Sequence, residues 1–213
     1  MKIELNHLNH EAVLQDHQPY ETIWNSKTTI DGTRFNLIHA PSGRGKSTLV
    51  SFLLGLRQNY NGKILFDGND IGDFSLNDWI NIRKNKVAAV FQTLDLFPKL
   101  TTLENILVKN DLTKQFSLDE ILKMLSRLGV LEQKDQIAAT LSMGQKQRVS
   151  IIRALCQPFD CIILDEPFSH LDEKNTQLAL ELIIEHCDQQ KAGLILTTLG
   201  ETYKLKEFNM YKL

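Results

Sequence analysis

The sequence predicts an α/β fold: a mixed or parallel sheet, an antiparallel β portion at the N-terminus, and a helical insert. Three observations predict it. Apolar runs at 35–39, 161–164 and 193–197 have the length and composition of buried strands. Short runs before residue 68 are punctuated by Asp31-Gly32, Asn61-Gly62 and Asp67-Gly68, the dipeptides of tight turns. From Thr93 to Thr140 the apolar spacing turns helical.

Residues 2–8 alternate as an edge strand does, and the polar, His- and Gln-rich stretch 9–20, broken by Pro19, reads as loop. A second strand is expected over 23–30, ended by Asp31-Gly32. The run 35–39 predicts a buried strand, and 49–54 a helix. Asn61-Gly62 predicts a turn, 63–66 a short strand closed by Asp67-Gly68, and 86–91 another apolar strand. Ser117 and Glu120 have capping-box spacing, and Leu118, Ile121, Leu122, Leu125 and Leu128 then share a helix face, with Gly129 as the stop. Strand 161–164 ends at Asp165-Glu166-Pro167, a helix follows near 173–189, and 193–197 is the last buried strand before a mixed tail. We read 1–213 as a single domain, with a core of about 1–92 and 150–213 and a helical subdomain of about 93–149.

Ala40-Pro41-Ser42-Gly43-Arg44-Gly45-Lys46-Ser47-Thr48 lies between a predicted strand and a predicted helix. The first turn of a helix has N–H groups with no internal partner, and its dipole places partial positive charge there. Glycines let the chain curl so that those groups surround a phosphate. Lys46 adds a full charge near the outer phosphates, and the Ser47 hydroxyl is placed to ligate magnesium. Asp165 and Glu166 close a buried strand, the sheet edge where ligands bind, and adjacent side chains diverge. One acid suits a magnesium shell and the other an attacking water. Leu141-Ser142-Met143-Gly144-Gln145 opens the helix before that strand. It offers a second anion site by the same helix-end physics, or an ordinary cap at Ser142.

The net charge is −2, so no basic face points to nucleic acid. No apolar run reaches the ~18 residues of a membrane span, and the first residues lack a signal-peptide core. The three cysteines have no metal-ligand spacing and suit reduced thiols in a cytoplasmic protein; the six histidines are scattered and read as surface residues.

On these residues the chain resembles the ATP-binding subunit of ABC transporters, a compact single cassette with a P-loop NTPase core. Residues 40–48 match the Walker A motif, 161–166 Walker B, 141–145 the family signature, Gln92 the loop glutamine, and Ser169-His170-Leu171-Asp172 the D-loop. The resemblance runs from about Ile23 to Thr198. It implies a two-lobed domain that dimerises, with itself or a related cassette, around two ATP molecules. Each ATP then lies between 40–48 of one chain and Ser142, Gly144 and Gln145 of the other. Carried over, Lys46 and Ser47 bind phosphates and magnesium, Asp165 and Gln92 serve the metal shell, and Glu166 is the general base. The stretch 94–100 resembles the contact region for a transmembrane permease, though its apolar residues equally suit the core of the helical lobe. A peripheral place on the inner face of the cell membrane follows from that partnership.

Four positions depart from the family pattern. Ala40 and Met143 stand where glycine is usual, and Leu199 where an acid is common. Thr198 stands where a histidine usually meets the γ-phosphate; threonine donates one hydrogen bond but carries no charge, which slows chemistry more than binding. His17 and Tyr20 are candidates for stacking on adenine. The function expected is an ATPase that energises a membrane transport complex. The alternative is an ATP-binding subunit with weak or no hydrolysis, acting as a regulatory switch. A non-transport switch ranks lower, because the chain has one cassette and no extension, and a phosphate-loop kinase has no use for the signature.

Overall fold

A computed structural model describes residues 1–10, 22–200, 203 and 208–213. The chain runs β1 (Lys2–Asn9), β2 (Lys27–Asp31), β3 (Phe35–His39), α1 (Lys46–Leu53), β4 (Asn61–Phe66), β5 (Asn69–Asp70), α2 (Leu76–Asn85) and β6 (Val87–Val90). It continues with α3 (Thr102–Asn110), α4 (Leu118–Arg127), α5 (Met143–Leu155), β7 (Cys161–Asp165), α6 (Glu173–Gln190), β8 (Gly193–Thr198) and β9 (Asn209–Lys212). An antiparallel sheet has the order β2-β1-β4-β5, and a parallel sheet the order β6-β7-β8-β3-β9.

The two faces of the parallel sheet define two cores. Ile162, Leu164, Leu194 and Leu196 face α4, α5 and α6, while Ile38, Ile163 and Ile195 face α1 and the antiparallel sheet. Alternation along each strand divides them. Helix α1 is therefore clamped between two sheets through Leu49, Val50, Phe52 and Leu53, all buried. That clamp fixes its N-terminus at the C-terminal end of β3.

Four expectations need correction. β1 is an interior strand, because β2 and β4 pair on its two sides. Asn61-Gly62 begins β4 instead of turning: the strand bulges against β1, and a Cβ on Gly62 would stand 2.4 Å from the His7 carbonyl oxygen. The second strand is shorter than 23–30, since a turn occupies the residues before Lys27. β8 is the last buried strand, as expected, and the partly exposed β9 adds in parallel to β3 after it. His186 is not on the surface; it is buried, with Nδ1 on the Leu182 carbonyl and its ring edge-on to Phe116.

The capping box at Ser117 and Glu120 forms, and Gly129 takes φ 64 at the stop of α4. Leu118 alone of its predicted face is exposed. Helix α2, with its own box from Ser75 and Asp78, adds an element the sequence reading passes over. The three cysteines are free and buried, and burial pushes the Cys156 and Cys187 thiols up to about 12.

Candidate active site

The phosphate loop leaves β3 at Ala40, whose N–H donates to the Thr198 carbonyl across the sheet. Gly45 is the N-cap of α1 at φ 89, in the left-handed region that glycine adopts without penalty. No side chain caps α1, and its first turn carries no acid. The N–H groups and dipole at this end are thus left available to an anion.

Lys46 is 4% exposed. Its Nζ donates to the Ala40 carbonyl at 2.7 Å and the Pro41 carbonyl at 3.0 Å, and pairs with Glu166 Oε1 at 3.2 Å. The other Glu166 oxygen accepts from Gln92 Nε2 at 3.2 Å. Glu166 holds φ 47, which costs a non-glycine residue about 1 kcal/mol. Asp165, 3% exposed, accepts from Thr197 Oγ1 at 2.7 Å, and the same hydroxyl oxygen accepts from the Glu166 N–H at 3.1 Å. Thr197 therefore holds both acids in place, a role that sequence reading misses. Ser42, Gly43, Gly45, Lys46, Ser47, Thr48, Gln92 and Glu166 line one cavity of about 220 Å³.

The Ser47 hydroxyl, Asp165 carboxylate and Gln92 amide oxygen are hard donors of the kind magnesium takes. Among the described residues no three His, Cys, Asp or Glu form a metal cage. Glu166 lines the cavity and Asp165 does not; so few protein carboxylates beside an anion-accepting helix end fit an ion that completes its shell with phosphate oxygens and water.

Ser142, Gly144 and Gln145 do not line that cavity. They open α5, where the Ser142 hydroxyl accepts from Gln145 N–H at 3.3 Å and Gln145 Oε1 accepts from Ser142 N–H at 2.8 Å. Buried Gln147 connects this helix to the loop after Glu166: it donates to Ser169 Oγ at 3.2 Å and accepts from His170 N–H at 3.0 Å. Its place four residues before buried Ile151 puts a polar group on the core face, a signal available in the sequence. A second signal was also there. Helices α2, α3, α4 and α6 carry acids in their first turns, whereas α1 and α5 carry none.

Thr198 is 1% exposed at the end of β8, and its Oγ1 accepts from the Gly200 N–H at 3.3 Å. Arg44, Pro41 and Ala40 complete the loop without lining the cavity. His17 and Tyr20 lie outside the described residues.

A second concavity, about 360 Å³, lies between the core and the helices. Leu54, Leu56, Phe91, Phe97 and Val108 give it an apolar floor, with Arg83, Lys109 and Arg153 around it. Burial, then Arg153 nearby, lowers the Lys109 pKa. Within 94–100, Leu94 and Leu96 pack into the core, while Phe97 stays half exposed over this groove. Arg153 fastens the segment by donating to the Leu94 and Asp95 carbonyls. Among the described residues no helix is long and apolar enough to cross a membrane.

The family model described as ABC transporter matches residues 25–169. The phosphonates import ATP-binding protein PhnC 1 of Synechococcus sp. is 36% identical over 178 residues, 78% of this chain and 67% of that protein. The ABC transporter ATP-binding protein MT0079 of Mycobacterium tuberculosis is 35% identical over 164 residues, 76% of this chain and 50% of that protein. The chain thus spans between half and two thirds of these relatives' length. The bacterial ABC transporter cassette MJ0796, solved as a dimer, superposes with TM-score 0.78 at 26% identity, over 93% of this chain and 88% of that one. The same cassette in a dimeric post-hydrolysis state, bound to ADP and Pi, superposes with TM-score 0.77 at 26% identity, over 92% of this chain and 87% of that one.

Proposed function

Because this chain belongs to the ABC transporter family, we propose that it binds ATP with magnesium, hydrolyses it, and energises a membrane transport complex through ATP-driven dimerisation. The observation that carries this reading is the cluster of Lys46, Glu166 and Gln92 at the uncapped, acid-free end of α1. The α1 N–H groups and Lys46 hold the phosphates. Ser47, Asp165 and Gln92 would hold magnesium, which would supply neutralisation of phosphate charge. Glu166 takes a proton from water as the water oxygen bonds to the γ-phosphorus. The bond from that phosphorus to the bridging oxygen breaks, ADP departs with the electron pair, and inorganic phosphate is the second product.

Freeing Glu166 for this work requires breaking its pairing with Lys46. An incoming phosphate supplies the ammonium with a better partner. Ser142, Gly144 and Gln145 of a second chain complete the site. The dimeric solved cassette, and its form with ADP and Pi, support this arrangement. The groove under Phe97 suits a permease segment with an apolar face and an acid to meet Arg83, Lys109 or Arg153. Thr198 in place of histidine lowers the turnover of the chain on its own.

Phosphate release by the assembled complex tests the reading. Wild type should turn over ATP, and Glu166→Gln should lose ~10²- to 10⁴-fold in kcat with ATP binding kept. Equal rates in the two would remove Glu166 as the base.

A further inference from the structure

Glu166 holds a backbone conformation that its surroundings must impose. Its φ of 47 is unfavourable for a residue with a Cβ, and Pro167 after it favours extended backbone at this position. Such a conformation persists only where neighbours fix it. On one side the Glu166 N–H donates to Thr197 Oγ1 at 3.1 Å. On the other side the contacts come from α5. Gln147 is 1% exposed, and its Oε1 accepts from the His170 N–H at 3.0 Å. A backbone N–H can meet only the oxygen of that amide, so Nε2 is left to face Ser169 and Glu166. It donates to Ser169 Oγ at 3.2 Å and lies 3.5 Å from the Glu166 carbonyl oxygen, which also accepts from the Ser169 N–H at 3.4 Å. The hydroxyl hydrogen of Ser169 remains for His170 Nδ1 at 3.0 Å. Gly144, one turn earlier on α5, packs so closely on the same loop that a Cβ there would stand 2.9 Å from the His170 carbonyl oxygen.

We propose that Gln147 is a positioning residue for Glu166: with Thr197 opposite, it clamps the loop 166–170 so that the Glu166 carboxylate is held at the phosphate cavity. The inference rests on the ATPase reading above. Glu166 lines that cavity and Gln147 does not, so Gln147 acts through the loop alone. With the clamp removed, Glu166 relaxes toward negative φ and its carboxylate moves off the attacking water. A base misplaced by about 1 Å costs on the order of 10²-fold in rate. Phosphate binding rests on the α1 N–H groups and Lys46, so the loss falls on kcat and spares affinity.

The test measures kcat and ATP affinity separately in the assembled complex, for Gln147→Leu, Ser169→Ala, Glu166→Gln and the double variant Gln147→Leu/Glu166→Gln. Gln147→Leu, close in volume but without the amide, should lose ~10- to 100-fold in kcat with affinity unchanged. Ser169→Ala removes one neutral hydrogen bond at an exposed position and should lose ~2- to 10-fold in kcat, with the melting temperature unchanged. Once the base is gone its placement no longer matters, so the double variant should turn over as slowly as Glu166→Gln alone. A merely structural role would lower affinity along with kcat, and would multiply the loss seen in Glu166→Gln. Wild-type kcat in Gln147→Leu or Ser169→Ala, or a multiplied loss in the double variant, overturns the inference and leaves the ATPase reading standing. Ser169→Ala decides alone if Gln147→Leu does not fold. No turnover by wild type overturns both.

Discussion

The N-termini of α1 and α5 are built alike in charge and unlike in capping. Neither first turn holds an acid, whereas α2, α3, α4 and α6 all place one there. Acids at that end relieve the dipole, so leaving them out costs a few tenths of a kcal/mol and preserves attraction for an outside anion. The difference lies in how the N–H groups are used. Gly45 offers no side-chain cap, so α1 is open toward the cavity that Lys46 and Glu166 line. Ser142 and Gln145 cap each other, so the start of α5 is capped within the chain and does not line that cavity. On the function proposed above, one end cradles a phosphate within the chain and the other meets a phosphate brought by a neighbour.

This comparison can be broken at α5 with one substitution. Gln145→Glu keeps the box geometry that Glu104 and Glu120 already use, but sets a carboxylate against the incoming phosphates. Facing like charges cost several kcal/mol, so turnover and ATP-dependent association should fall ~100-fold or more, with the melting temperature unchanged or raised. Full turnover in Gln145→Glu would mean that α5 meets no phosphate.

Lys46→Ala probes the α1 end. It should weaken ATP binding by ~10- to 100-fold, the 1.5–3 kcal/mol of a charge-assisted hydrogen bond, as read by calorimetry. Gln145→Glu should leave binding to the single chain untouched, and equal losses in both would erase the distinction between the two ends.

The smallest effect is expected at an ordinary helix end. Ser117 donates to the Glu120 carboxylate from its hydroxyl and its N–H, which holds that carboxyl below the usual range. A lowered folded-state value stabilises the fold above the unfolded value, and the gain is lost as pH falls through the folded one. Glu120→Gln should therefore lower the melting temperature slightly at neutral pH, and the gap should close in acid. A gap that widened in acid would reverse the sign.

How much was legible follows from what sets each feature. The motif residues are placed by covalent spacing: 40–48 joins β3 to the start of α1, and Asp165 and Glu166 fall at the end of β7. Neighbour relations are set through space. Alternation in 2–8 gives the faces of β1 but not its two partners, so an interior strand reads as an edge. β9 is four residues of mixed polarity, held by the free edge of β3. Asn61-Gly62 has turn chemistry, but the hairpin closes at Asp67-Gly68 and Gly62 is needed where β4 crowds β1. Thr197 and Gln147 matter through partners 32 and 22 positions away, such as Asp165 and Ser169.

The most direct test of two half-sites on separate chains is the mass of Glu166→Gln in solution, by light scattering, with ATP and magnesium. Blocking hydrolysis should trap the shared site, so the account predicts twice the mass of one chain with ATP and a single chain without it. Adding Gln145→Glu should return the ATP-bound sample to one chain. A single-chain mass for Glu166→Gln at saturating ATP would contradict the shared site.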